Sequence, residues 1–304
     1  MIINESVLRD ILRLFIWFPF RWFVRGIPVM WGFFLFKLIG DLHFYLGGSK
    51  KNKIHDNLKT VLNVDDHTAS RIVKRNLENH YIDRLHIFLY PKLTTKEKIL
   101  EYVRFENIEL VERRLKDGKG VLLVQPHFGP VQITLLALKL YGFTPIQIGY
   151  LSDVGLSRIG KAVAYRYRMK YEKMLPQIVA ADRYLGRIYK HLVHNGVVLT
   201  TGDGAGGGLY IGEHGKLSFL NTKRLFPTGP ASLSLRTGAS YIPTFIIPEQ
   251  FNKFRIIFEK PIVPKWADIN KDKWYMTETF KSLMERYVNE FPYWWHFWDE
   301  TFEH

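Results

Sequence analysis

From residue 121 onward, short apolar runs alternate with segments of helical period, and this alternation sets the expected architecture. Residues 121–125 read as a buried strand, and 130–141 as a helix with proline in its first turn. Strands are expected again at 144–150, 197–201, 216–220, 241–247 and 254–258. Helices are expected at 156–171, 183–195, 228–237 and 274–291. Such a βαβα order predicts an α/β fold, a mostly parallel sheet flanked by helices. Between about 65 and 116 the apolar positions, among them Ile72, Leu77, Tyr81 and Leu85, recur at helical spacing. That stretch reads as two or three helices broken near Pro91 and stopped by Gly118 and Gly120.

The first forty residues have a different texture. Apolar and aromatic residues are interrupted by Arg9, Arg13, Arg21, Arg25 and Lys37, and the longest uncharged piece, 26–36, is shorter than the ~20 residues that span a bilayer core. Trp17, Trp22 and Trp31 sit among the arginines as in an aromatic belt. The expected division is therefore an amphipathic membrane-association segment at 1–48, lying in the interface plane. An α/β domain follows at 49–304, with a helical lead-in at 54–116.

Charge and composition narrow the partners. Of 304 residues 47% are hydrophobic and 24% charged, as in an ordered globular chain, and the net charge is +14. So basic a protein expects an anionic partner: a membrane surface, an acidic carrier protein or nucleic acid. Nucleic acid is not expected, because no RNA-recognition motif, zinc knuckle or helix-turn-helix is present. There are no cysteines, which excludes disulfides, thiol nucleophiles and thiolate metal sites. His127, His191 and His194 are not at ligating spacings, so no metal is expected.

Candidate chemistry gathers at two strand ends, "QPHFG" at 125–129 and "TTGDGAGGG" at 200–208. Ligands of open α/β sheets bind beyond the carboxyl ends of the strands, which places His127 and Asp203 in one candidate cleft. A histidine there is a candidate general base, and the helix that follows it should favour the neutral ring. The glycines, Gly202 and Gly204 among them, let backbone approach a ligand closely. They complete neither a Walker loop nor a dinucleotide fingerprint.

Taken in order, "GKGVLLVQPHFG", "LVHNGVVLTTGD", "FLNTKRLFPTGPASLSLRTGASYIPTFI" and "FPYWWHFWDETF" resemble the late acyltransferases of lipid A biosynthesis. Relatives of that family include the mannoside acyltransferases of mycobacteria and the wider glycerolipid acyltransferases. The resemblance runs from roughly Thr68 to the C-terminus. It implies a membrane-associated enzyme, peripheral or monotopic, on the cytoplasmic face of a bacterial inner membrane. Such an enzyme moves a fatty acyl group from acyl carrier protein or coenzyme A to a hydroxyl of a lipid acceptor, with no cofactor beyond the acyl thioester. By resemblance His127 is the base and Asp203 the acid after a later strand. Thr228 and Gly229 belong to a turn lining the cleft, and Arg166 or Arg168 holds acceptor phosphate.

One position departs from the family. Its His-x-x-x-x-Asp/Glu motif reads His127 to Gln132 here. An amide can hold an imidazole tautomer but cannot stabilise imidazolium by charge. Three readings follow: another acid, Asp203 foremost, supplies the charge for O-acyl transfer; the acceptor is an amine; or the site binds lipid without turnover.

Overall fold

The computed structural model describes residues 6–149, 153, 155–182, 185–206 and 209–302. The last residue of the strand expected at 144–150, the first two of the helix expected at 183–195, Gly207, Gly208 and residues 1–5 lie outside the described residues.

Three helices open the chain: α1 (Val7–Phe15), α2 (Arg21–Gly26) and α3 (Val29–Leu46). A single π turn at Ile16–Phe20 joins the first two around Pro19, which has no N–H to give to the helical ladder. α1 buries no residue at all, whereas Trp17 is 7% exposed and packs on Phe88, Tyr167 and Tyr171. Trp17 therefore belongs to the core and not to an aromatic belt; Trp22 and Trp31 remain exposed. α3 also corrects the expectation that nothing here could span a bilayer. It runs unbroken through Lys37 and Asp41 for 18 residues, long and apolar enough to cross a membrane by length and composition.

α4 (Ser49–Leu62) and α5 (Asp66–Leu85) come next, with the Asp65 carboxylate accepting the Thr68 N–H at 2.8 Å to cap α5. α3 lies against α5 so closely that a Cβ on Gly40 would stand 2.5 Å from the Glu78 Cα. A 3-10 turn at His86–Lys92 carries Pro91 and leads to α6 (Lys96–Leu100), β1 (Val103–Glu106) and α7 (Ile108–Lys116). β1 corrects the all-helical reading of this region. Its four residues alternate with charge, and it is a strand because β9 pairs with it.

The remainder alternates as β2 (Val121–Gln125), α8 (Val131–Tyr141), β3 (Ile146–Gly149), α9 (Arg166–Glu172), β4 (Ile178–Ala180), α10 (Gly186–Val193) and β5 (Val197–Thr201), as expected except for β4, a three-residue strand that exists through its pairing with β3. A π turn at Gly160–Tyr165 opens α9. The hairpin β6 (His214–Phe219) and β7 (Thr222–Pro227) precedes α11 (Gly229–Thr237), β8 (Ser240–Pro248), β9 (Phe254–Phe258) and α12 (Ile269–Glu290). The main sheet has seven strands in the order β1-β9-β8-β2-β5-β3-β4, parallel except between β8 and β9. All five residues of β2 are buried, as a central strand covered on both faces requires.

The register of β2 and β5 positions the site. Gln125 pairs with Thr201 at the carboxyl end of both strands, so His127 and Asp203, each two residues further on, leave the sheet side by side.

Candidate active site

His127 and Asp203 meet as that register dictates. His127 Nδ1 lies 2.8 Å from Asp203 Oδ1, and the His127 backbone N–H donates to Oδ2 at 2.9 Å. The Asp203 side chain has 0% exposure and the His127 side chain 26%, so solvent reaches the ring but not the acid. A carboxylate only accepts, so Nδ1 carries the proton and Nε2 is left as the basic nitrogen. Among the described residues nothing hydrogen-bonds Nε2. The Phe297 ring stands against the imidazole with centroids 4.6 Å apart and limits its rotation.

Electrostatics follow from this geometry. Burial alone would push the Asp203 carboxyl up; the His127 ring, Arg224 and the His127 N–H outweigh burial and hold it below the ordinary carboxylate range. Burial pushes the His127 imidazole down, but the charge and hydrogen bond of Asp203, with smaller help from Asp83 and Glu300, carry it above the ordinary value. The expected bias of the neighbouring helix toward a neutral ring is thus overridden, because a carboxylate in contact outweighs a partial charge at a helix end.

Two further segments hold the pair. The C-terminal stretch runs antiparallel beside the histidine loop: Gly129 N–H donates to the Trp294 carbonyl at 2.8 Å and His296 N–H to the His127 carbonyl at 3.0 Å. Gly129 has φ +64, and a Cβ there would meet Trp294 Nε1 at 2.1 Å, so the turn needs glycine. Asn76 and Asn79 of α5 reach the carbonyls of Tyr293, Trp294 and Trp295 at 2.8–3.1 Å. The helical lead-in thereby clamps the strip that clamps the histidine.

The other expected residues are distributed unevenly. Gly202 donates its N–H to the Gln125 carbonyl at 2.9 Å and packs where a Cβ would strike Phe280 at 2.4 Å. Gly204 adopts φ +93 beside open space. Gln132, in the first turn of α8, makes no hydrogen bond to His127, and its side-chain oxygen is buried without a hydrogen-bond partner. Arg168 bonds the buried Glu172 at 2.6 Å and lies near enough to Asp83 to stabilise that carboxylate. Asp83 in turn acts on His127, so Arg168 belongs to the surroundings of the pair. Arg166 is exposed, on another side of the helix. Thr228 is fully buried and bonds the Glu213 carbonyl across the base of the β6–β7 hairpin; Gly229 is exposed beside it. The bonds of this turn do not reach His127 or Asp203.

Sequence reasoning missed the groups behind the acid. Trp295, 0% exposed, donates its indole N–H to Asp203 Oδ2 at 3.2 Å. Arg224 stacks over the Trp295 and Phe297 rings at 5.1 and 4.9 Å and pairs with Glu300 at 2.8 Å. Trp294, Trp295 and Trp298 are all buried, and nothing in "PYWWHFWDE" marks which indole faces an acid.

A histidine and a buried aspartate at adjacent strand ends of a parallel sheet form an arrangement able to take up and release a proton. The model of the bacterial lipid A biosynthesis acyltransferase family matches residues 4–303, and the chain belongs to that family. It is an acyltransferase that acts on lipids. No curated protein matches the chain. Among solved structures it is similar to the 1-acyl-sn-glycerophosphate (LPA) acyltransferase, PlsC, from Thermotoga maritima. The two are 15% identical over 84% of this chain and 96% of that one, with a TM-score of 0.36.

Proposed function

We propose that the protein transfers a fatty acyl group from a thioester, on acyl carrier protein or coenzyme A, to a hydroxyl of a lipid acceptor, with His127 as general base. The observation that carries this reading is the 2.8 Å contact between His127 Nδ1 and Asp203 Oδ1. Nε2 takes the acceptor's hydroxyl proton as the oxygen attacks the thioester carbonyl. Asp203 stabilises the imidazolium that forms. The tetrahedral intermediate collapses with cleavage of the C–S bond, and the departing thiolate takes the proton from Nε2, leaving an ester and a free thiol. Transfer to an amine and loss of turnover are the readings that a missing acid at position 132 suggests; the Asp203 contact with the ring supports the hydroxyl reading over both.

The assay is thiol release from lauroyl-coenzyme A and lauroyl-acyl carrier protein in the presence of a bacterial lipid extract. Gln132→Ala is expected to lower kcat less than about tenfold, because no hydrogen bond of that side chain to His127 is lost. A loss as deep as that of Asp203→Asn would make Gln132 the group that orients the ring and would sink the reading.

The same reading places the protein on the cytoplasmic face of the bacterial inner membrane, where acyl thioesters of this class are available. Support comes from α1–α3, where Val7, Leu8, Ile11, Phe15, Trp22 and Trp31 are all more than half exposed. Each such side chain gains about 1.5–3 kcal/mol on leaving water, and Arg9 and Arg25, exposed among them, suit anionic head groups. Replacing Leu8, Ile11 and Phe15 together by aspartate should weaken flotation with phosphatidylglycerol vesicles while leaving the unfolding midpoint unchanged, since α1 buries nothing. Unchanged flotation would remove α1 from the membrane contact.

A further inference from the structure

We infer that Trp295 is a positioning residue for the transfer, acting through its indole N–H on Asp203. The inference rests on the dyad reading above. Asp203 has two carboxylate oxygens with separate duties. Oδ1 faces His127 Nδ1 at 2.8 Å, while Oδ2 accepts from the His127 backbone N–H at 2.9 Å and from Trp295 Nε1 at 3.2 Å. The two donors on Oδ2 come from segments far apart in the chain, the loop after β2 and the C-terminal strip, and hold the plane of the carboxylate, so that Oδ1 has one orientation to offer. The indole is itself held. It is 0% exposed, wedged edge-on between Phe219 and Trp298, and capped by the Arg224 guanidinium, which Glu300 anchors.

Removing the indole N–H leaves Oδ2 with one donor and lets the buried carboxylate swing about its Cβ–Cγ bond. The base then spends part of its time without its partner at the moment it must become a cation. No substrate atom is involved. The effect therefore falls on kcat and leaves KM for donor and acceptor unchanged, whereas a merely structural role of the tryptophan would disturb folding and binding together.

The test compares three side chains at position 295 in the full-length chain with wild type and His127→Ala, using the thiol-release assay. 3-Benzothienylalanine keeps the shape of tryptophan and lacks the N–H; 5-fluorotryptophan keeps the N–H; phenylalanine is the genetically simple version. The benzothienyl chain is expected to lower kcat about tenfold, roughly 1.4 kcal/mol of barrier, at unchanged KM, with 5-fluorotryptophan restoring wild-type turnover. The Phe variant should be at least as slow, and if it does not fold the shape-matched residue decides. Wild-type kcat with benzothienylalanine, beside an inactive His127→Ala, overturns the inference and leaves the dyad standing. Full activity of His127→Ala overturns the dyad and this inference with it.

Discussion

His127→Ala is expected to lower kcat by about 10⁴ or more, with the unfolding midpoint lowered because the buried Asp203 carboxylate loses its partner. Among the described residues the ring makes one side-chain hydrogen bond, to Asp203, and its side chain is partly open to solvent, so its loss removes the proposed base and a charge partner but no piece of the apolar core. The measurement is thiol release from lauroyl thioester with lipid extract, alongside a thermal melt. Residual turnover within tenfold of wild type would show that the proton leaves by another route. In the proposed mechanism the base must be neutral to work, and the His127 imidazole is held above the ordinary histidine value by Asp203. The acid limb of kcat/KM should therefore fall above the ordinary imidazole range of ~6.5. The same shift has a stability consequence of opposite sense. His127 contributes stability that is full below its unfolded value and is lost as pH rises through the native one.

Asp203→Asn should cost between about 10² and 10⁴ in kcat, some 3–5.5 kcal/mol of barrier. The physical cause goes beyond lost charge. Two N–H donors, from His127 and Trp295, converge on Oδ2. An asparagine must leave its carbonyl oxygen there and turn its NH2 toward His127 Nδ1. Nδ1 then becomes the acceptor, the proton moves to Nε2, and the nitrogen facing the substrate can no longer take a proton. Kinetics across pH would separate the two causes, since a wrong tautomer lowers the plateau and is not rescued at high pH. A loss under tenfold would remove Asp203 from the mechanism. Asp203 also contributes to stability with the sign opposite to that of His127. Its pKa is depressed, so the contribution is present above the unfolded carboxylate value and is lost as pH falls through the native one.

Some of this was legible along the chain and some was not. β2 and β5 could be read because central strands buried on both faces must be continuously apolar, and the residues two steps beyond them inherit a common edge. β1 could not be read. Val103–Glu106 is short and half charged, and only its pairing with β9, some 150 residues away, makes it a strand. Arg166 and Arg168 looked equivalent, yet two residues on a helix stand about 200° apart; the i,i+4 spacing gives Glu172 to Arg168, and only the packing of α9 brings that arginine near Asp83. Trp17 looked like its neighbours Trp22 and Trp31 until Tyr167 and Phe88 closed over it.

The site divides in the same way. Local sequence determined the alternating architecture, the basic and aromatic N-terminus, a histidine at one strand end and an acid at another, because hydrophobic period and strand length are properties of a few adjacent residues. It also posed the question of Gln132, which stands at the position where an acid was expected. Tertiary structure alone supplied the answer. Strand register brings Asp203 to Nδ1 across 76 positions, and the closing strip of chain brings the Trp295 indole to the back of that acid across 92. Hydrogen bonds of that reach depend on distance and angle to a fraction of an ångström, and those are set by how the sheet, α5 and the C-terminal strip pack together.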